Sequence, residues 1–138
     1  MAAPRRQSKI RMSRNILIVE DAETAATTLE IALLHIPGVE VARVCDGRRA
    51  LEYLAADHGH GIDALVTDLE MPFLDGFELI RRVRAEERYQ RLPIVVVSGS
   101  QDPLTPERVL RLGADAYFGK PWSPLAVRQK IEELLEQV

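Results

Sequence analysis

The chain has 138 residues, of which 46% are hydrophobic and 28% are charged, and its formal net charge is −3. This length and composition predict one globular domain, and no apolar run is long enough for a membrane span or a signal peptide. A single cysteine, Cys45, excludes an internal disulfide and fits a cytoplasmic location.

Positive charge is concentrated at the N-terminus. Residues 1–14 contain five basic residues and no acidic one, so the remainder of the chain carries a net charge of −8. An acidic body of this kind argues against direct nucleic-acid binding. We interpret residues 1–13 as a basic, disordered leader or a tag, and residues 14–138 as the domain. Met12 is a candidate for the true first residue.

Short β-branched runs alternate with segments of helical periodicity along the domain. The predicted strands are 15–19, 39–44, 63–67, 93–98 and 115–119. Most of these runs are continuously apolar, which is typical of parallel strands that are covered on both faces. Repeated strand–helix units with right-handed crossovers predict an α/β fold with an open, doubly wound parallel sheet.

The helices between the strands have recognisable ends. The first is expected to run from Ala22 to near Ile36, where a Pro-Gly pair interrupts it. Thr105 is predicted to cap the fourth helix, which should end at Gly113. The other three helices are predicted to start at further polar residues, namely Asp46, Asp75 and Ser123.

Polar side chains follow the predicted strands at their carboxyl ends. They comprise an acid pair, a further acid, a serine and a lysine: Glu20, Asp21, Asp68, Ser98 and Lys120. In a doubly wound sheet the ligand crevice lies outside this edge. Each residue alone is more often a cap, a turn residue or a solvated charge. Their convergence on one edge predicts a functional site.

The composition of this predicted site favours phosphoryl chemistry. Three clustered carboxylates repel one another unless a cation lies between them, and with oxygen ligands only, Mg²⁺ fits best. Lys120 supplies a second positive charge, so the site suits an incoming phosphoryl group. A carboxylate nucleophile would form an acyl phosphate there. Asp68 is the candidate, because it ends a central strand between the acid pair and Lys120.

These motifs, in this order along residues 14–138, resemble the receiver domain of two-component response regulators. The matching elements are the acid pair, Asp68, Met71-Pro72, Asp75-Gly76, Ser98 with a small residue after it, Gly113 to Tyr117, and Lys120-Pro121. The stretch from Cys45 to Gly47, with Ala50-Leu51, is similar to the family's segment after the second strand. The resemblance implies a flavodoxin-like (βα)5 fold with strand order 2-1-3-4-5.

The resemblance also implies a chemistry for the acids. Asp68 would accept a phosphoryl group from a histidine kinase, a phosphotransfer protein or a small phosphodonor. Glu20, Asp21, Asp68 and the backbone carbonyl of Glu70 would hold Mg²⁺, with no other cofactor. The chain would then be a signalling phosphoacceptor that catalyses only its own phosphorylation and dephosphorylation, and not an enzyme in the ordinary sense.

Roles in switching and in partner binding are implied as well. Ser98 and Lys120 would contact the phosphoryl oxygens, and Ser98 and Tyr117 would form the switch. The switch would reshape the surface of the fourth helix, fifth strand and fifth helix for a downstream protein, a fused output domain or a homodimer. No membrane interaction is expected. Because no output domain follows before Val138, we favour a stand-alone receiver over a fragment.

Three other interpretations compete with a phosphorylated receiver. A receiver-like binding module that is never phosphorylated would carry the same residues, and acetyl phosphate would distinguish the two. A haloacid-dehalogenase-type phosphatase would use Asp68 with Glu70 as second acid, but that family has Asp there and leaves the acid pair unexplained. A flavodoxin-type binder would need a hydroxyl- and glycine-rich loop where Glu20, Asp21 and Glu23 stand, and these acids repel phosphate.

Overall fold

The computed structural model describes residues 13–56 and 61–137, so the predicted leader, apart from Ser13, lies outside it. The strands are β1 Arg14–Val19, β2 Val39–Val44, β3 Ala64–Thr67, β4 Ile94–Ser98 and β5 Ala116–Gly119. The helices are α1 Glu23–Leu33, α2 Gly47–Ala55, α3 Gly76–Ala85, α4 Thr105–Leu112 and α5 Pro124–Glu136, with a 3₁₀ turn at Glu87–Tyr89. None of the helices in these ranges combines the length and apolar character that a membrane crossing needs.

The strands form one parallel sheet in the order β2-β1-β3-β4-β5. This arrangement confirms the predicted doubly wound α/β fold and its strand order. β3 and β4 are buried along their whole length because helices cover both faces of the sheet, whereas β2 at the edge is mostly half-buried. The strand order reverses between β1 and β3, and this reversal opens the crevice at their carboxyl ends.

The core consists of two apolar clusters, one on each face of the sheet. Alternate residues of a strand point to opposite faces, so Leu17 and Val19 pack with α2, α3 and α4, whereas Ile16 and Ile18 pack with α1 and α5. The apolar residues of β1 are fully buried in one cluster or the other. The carboxyl ends of the central strands are thereby held in fixed relative positions.

Most helix ends agree with the sequence predictions. Three predicted caps accept hydrogen bonds from the backbone three residues later, namely Asp46, Asp75 and Ser123. Gly113 ends α4 in the left-handed conformation, with φ of 114°. α1 is shorter than predicted, because the N–H groups of His35 and Ile36 bond to carbonyls three residues earlier and tighten the chain into a turn after Leu33.

The prediction that Thr105 caps α4 is wrong. Leu104 occupies the N-cap position and makes no side-chain cap bond, while Thr105 is the first helical residue and is buried. Asp102 takes over the capping role: its carboxylate accepts from the N–H of Leu104 at 2.9 Å, and its carbonyl accepts from the N–H of Thr105 at 3.1 Å. The Thr105 hydroxyl faces Ser100 instead.

Gly76 allows α3 to begin directly against the backbone that follows β3. Its N–H donates to the carbonyl of Leu69 at 2.8 Å. A Cβ at this position would lie 2.3 Å from the carbonyl oxygen of Asp68 and 2.7 Å from Cα of Leu69. A side chain here would therefore force apart the helix and the segment that carries Asp68.

We expect Gly76→Ala to lower the free energy of unfolding by about 3 kcal/mol, because backbone atoms would have to move. Urea denaturation measures this change. Gly61→Ala is the control: its φ of 73° disfavours alanine, but nothing lies within 4 Å of its Cβ position, so the expected loss is about 1 kcal/mol. A smaller loss for Gly76→Ala than for Gly61→Ala would contradict the close approach.

Candidate functional site

Three carboxylates meet at the carboxyl edge of the sheet. Glu20 and Asp21 follow β1, and Asp68 follows the neighbouring strand β3. One carboxylate oxygen of each lies within 4.8 Å of the others. The pairing of β1 with β3 ends with Val19 opposite Thr67, so the next residues of both strands enter the crevice together. The structure thus brings together the three acids that the sequence analysis assigned to one site.

Backbone hydrogen bonds fix the two more buried acids. The N–H of Asp68 donates to the carbonyl of Val19 at 3.0 Å, and the carboxylate Oδ1 of Asp68 accepts from the N–H of Leu69 at 2.6 Å. Oε2 of Glu20 accepts from the N–H of Ala22 at 3.1 Å. Glu20 is only 7% exposed and Asp68 is half-buried, whereas Asp21 is exposed.

Burial, together with neighbouring negative charge, makes ionisation of Glu20 and Asp68 unfavourable. Burial raises the pKa of Glu20 from its ordinary 4.5 to about 7, the N–H of Ala22 opposes this rise, and the charges of Asp68 and Asp21 add to it. Burial also raises the pKa of Asp68, against the opposing hydrogen bond from Leu69. The cluster therefore favours either a retained proton or a bound cation.

The donor atoms suit a hard divalent cation. Glu20, Asp21 and Asp68 offer carboxylate oxygens only, and within residues 13–56 and 61–137 they form the one group of this kind. Oxygen ligands of this type match Mg²⁺. A cation between them would stabilise the ionised carboxylates, which burial and, to a smaller extent, neighbouring negative charge disfavour. Glu70 lies two residues beyond Asp68 with an exposed side chain; the role of its carbonyl stays a prediction.

The predicted serine and lysine lie on the neighbouring strands of the same edge. Ser98 ends β4, is 1% exposed, and its Oγ accepts from the N–H of Ser100 at 3.1 Å. The N–H of Lys120 donates to the carbonyl of Ser98 at 2.8 Å. The Lys120 stem runs beside Gly99, where a Cβ would lie 3.3 Å from Cδ of Lys120. Lys120 forms no ion pair within the part of the chain that the structure describes, so its ammonium group is available to an anion.

Tyr117, the predicted switch aromatic, is half-buried on β5. Its ring packs against the core cluster beneath α2, α3 and α4. The ring also lies over Gly119, where a Cβ would be 3.4 Å from the ring atom Cε2. This is one arrangement of the side chain, so the role of Tyr117 in switching stays a prediction.

Two features near the crevice have no clear signal in the sequence. Arg43 on β2 donates to Glu23 at 2.9 Å and to Glu30 at 3.0 Å, and so ties α1 to the edge of the sheet. Oγ of Ser100 lies 2.8 Å from Oγ1 of Thr105. Opposite charges and hydroxyl groups are visible in the sequence, but their pairing depends on strand register and loop geometry.

Known proteins are similar to this chain in sequence and in fold. The family model of the response regulator receiver domain matches residues 16–132. The chain is 33% identical to the chemotaxis protein CheY of Pseudomonas aeruginosa over 123 residues, 89% of this chain and 97% of that protein. It is also similar to the receiver domain of a signal transduction histidine kinase from Syntrophus aciditrophicus, with a TM-score of 0.81 and 29% identity over 91% of this chain and 92% of that one. The chain is also similar to the receiver domain of a sensor histidine kinase from Pseudomonas aeruginosa, with a TM-score of 0.77 and 27% identity over 90% of this chain and 98% of that one. That receiver domain has a magnesium ion coordinated in its active site cleft.

The raised pKa of Glu20 predicts that the metal-free protein loses stability as the pH rises from about 4.5 to about 7. In this window the folded state binds more protons than the unfolded state, so the free energy of unfolding falls with pH. We expect a loss on the order of 2 kcal/mol, measured by thermal or urea unfolding in the presence of a chelator. The lowered pKa of Glu78, about 2, acts below this window and with the opposite sign.

Glu20→Gln is the control for this pH dependence, because it keeps the size of the side chain but removes the titrating carboxyl. The variant should lose the part of this pH dependence that Glu20 contributes, whereas Asp68, whose pKa is also raised, should keep its own part. If the free energy of unfolding of the unmodified protein does not change across this range, the pKa of Glu20 is not raised in the folded state.

Proposed function

Because the chain belongs to the response regulator receiver domain family, we propose that Asp68 is its phosphoacceptor residue. Receiver domains are signalling phosphoacceptors that interact with histidine kinases and with output targets. The observation that carries the proposal is the acid cluster, in which Asp68 ends β3 within 4.8 Å of the carboxylates of Glu20 and Asp21. Its backbone bonds to Val19 and Leu69 hold the carboxylate at the crevice.

The proposed reaction is a phosphoryl transfer to the Asp68 carboxylate. The donor is a phosphohistidine of a kinase or phosphotransfer protein, or a small phosphodonor such as acetyl phosphate. A bond forms between the carboxylate oxygen and phosphorus as the donor's bond to phosphorus breaks, and a leaving imidazole takes up a proton. The product is an acyl phosphate, and its hydrolysis by water restores Asp68. The chain thus promotes only its own phosphorylation and dephosphorylation.

We assign the metal site to the carboxylates of Glu20, Asp21 and Asp68, with the carbonyl of Glu70. Bound Mg²⁺ supplies positive charge beside the incoming phosphoryl group and the Asp68 carboxylate. The all-oxygen donor set and the raised pKa of Glu20 support this assignment. The similar receiver domain from Pseudomonas aeruginosa with magnesium in its active site cleft supports it as well.

The remaining site residues contact the phosphoryl group and transmit its presence. Oγ of Ser98 and the ammonium group of Lys120 bind the phosphoryl oxygens. Ser98 and Tyr117 form the switch, which reshapes the surface of α4, β5 and α5. This surface contacts a downstream protein, a fused output domain or a second copy of the chain. A cytoplasmic location, where a kinase domain delivers the phosphoryl group, is part of the proposal.

Incubation with Mg²⁺ and acetyl phosphate should add a single phosphoryl group to the protein, as measured by intact mass. Asp68→Asn should abolish the addition, because an amide is not a nucleophile for phosphorus. Asp75→Asn is the matched control: Asp75 is exposed and caps α3, and asparagine caps equally well. Labelling of Asp68→Asn would contradict the assignment. An unlabelled wild-type protein would favour the binding module that is never phosphorylated.

Millimolar Mg²⁺ should raise the melting temperature by about 4 °C, because the ion binds the folded state and offsets carboxylate repulsion. Asp21→Asn should reduce this shift, and Asp68→Ala should stabilise the metal-free protein by removing one of the repelling charges. Sodium chloride at matched ionic strength controls for screening. If both salts have the same effect, the cluster does not bind the ion specifically.

A further inference from the structure

Three hydroxyl-bearing residues connect the end of β4 with the first turn of α4. Ser98 ends the strand, Ser100 lies in the loop, and Thr105 begins the helix. The N–H of Ser100 donates to Oγ of Ser98 at 3.1 Å. Oγ of Ser100 lies 2.8 Å from Oγ1 of Thr105. These hydrogen bonds therefore connect the end of β4, at the crevice, with the first turn of α4.

The Thr105 hydroxyl is not used to build the helix. A threonine at a helix start usually caps it, but here Asp102 accepts the N–H groups of both Leu104 and Thr105. Thr105 is 3% exposed, and in the ranges described its side chain bonds to Ser100. A buried hydroxyl needs a partner, so Thr105 fixes the position of Ser100.

Ser100 is held on two sides. Its Oγ pairs with Oγ1 of Thr105 and also accepts from the N–H of Asp102 at 3.2 Å. With the side chain fixed in this way, the peptide N–H of Ser100 is aimed at Oγ of Ser98. The orientation of the Ser98 hydroxyl therefore depends on a contact made at α4.

Ser98 retains an unused donor. Its Oγ accepts the N–H of Ser100, and a serine hydroxyl has one hydrogen to donate. For this hydrogen the structure provides no protein acceptor in residues 13–56 and 61–137, although Ser98 is only 1% exposed. An unpaired buried donor is unfavourable. A phosphoryl oxygen on Asp68, at the end of the adjacent strand β3, would supply the acceptor.

We propose that the Ser100–Thr105 hydroxyl pair is a positioning device for Ser98. It presents the Ser98 hydroxyl to the phosphoryl group. Through the same hydrogen bonds, binding of a phosphoryl group in the crevice affects the position of the first turn of α4. This inference rests on the proposed contact between Ser98 and the phosphoryl oxygens. Thr105 and Ser100 are not part of the acid cluster, and under this proposal they act through Ser98.

A double-mutant cycle with beryllofluoride, a mimic of the phosphoryl group, tests this proposal. Thr105→Val removes the hydroxyl and keeps the volume, whereas Thr105→Ser keeps the hydroxyl. Fluorine NMR of bound beryllofluoride at saturating Mg²⁺ gives the affinity. Thr105→Val should weaken binding about five-fold, the effect of one hydrogen bond, and Thr105→Ser should restore most of the loss. Mg²⁺ affinity should not change, because the acids follow β1 and β3, whereas Thr105 begins α4.

The decisive measurement is Thr105→Val in the Ser98→Ala background. If Thr105 acts through Ser98, the second substitution should change the affinity by less than about two-fold there. An equal five-fold loss of beryllofluoride affinity in both backgrounds would show a general structural effect and overturn the proposal. Unchanged beryllofluoride affinity in Thr105→Val, or a parallel loss of Mg²⁺ affinity, would also overturn it. Ser100→Ala repeats the test at a less buried position and decides the matter if Thr105→Val does not fold.

The same experiment separates this inference from the proposed function. Ser98→Ala alone tests the contact between Ser98 and the phosphoryl group. If Ser98→Ala binds beryllofluoride like the wild type, the proposed role of Ser98 is wrong and the inference fails with it. If Ser98→Ala weakens binding but Thr105→Val and Ser100→Ala do not, only the positioning device is wrong.

Discussion

Repulsion among carboxylates that are partly withdrawn from water is the constraint around which this molecule is arranged. The parallel pairing of β1 with β3 brings Glu20, Asp21 and Asp68 to the same edge, and Glu20 and Asp68 are partly or largely buried there. Relaxed side chains would spread apart or protonate. Here the sheet holds Glu20 and Asp68 in a buried edge, and burial first, then the neighbouring charges, raises the pKa of both carboxyls. The fold's stability therefore supports an arrangement that is locally unfavourable without a cation.

Ser98, which we propose contacts a phosphoryl oxygen, is supported differently from the acids. Glu20 and Asp68 are anchored by strand pairing and by backbone N–H groups, which do not depend on side-chain identity elsewhere. Ser98 depends on a loop whose shape is set by Ser100, Asp102 and Thr105. Acids held by the sheet, next to a hydroxyl held by a loop, suit the proposed function, in which the domain binds a phosphoryl group and then changes shape. Small free-energy differences in the loop then bias the population of two arrangements.

Local signals in the sequence were sufficient for the architecture and for the identity of the clustered acids. Asp46, Asp75 and Ser123 cap helices as predicted because capping depends on the nearest few residues. The acids could be assigned to one edge because parallel topology determines where strand ends lie. Thr105 was misjudged because a capping threonine and a buried threonine look alike in sequence, and only the position of Asp102 decides between them. The close contact at Gly76 and the hydrogen bond between Ser100 and Thr105 could not be predicted from the sequence either, because both depend on distances between segments.

The division of the core by the sheet has a further consequence for variation in this chain. Tyr117 packs against the cluster beneath α2, α3 and α4, whereas the next residue, Phe118, packs against the cluster on the α1–α5 side. The backbone of the sheet separates these two apolar compartments, so a change of volume in one is absorbed mainly within that compartment. The α1–α5 side is thus a part of the molecule that evolution or protein engineering could repack to adjust thermal tolerance. Such repacking would leave intact the side that carries Tyr117.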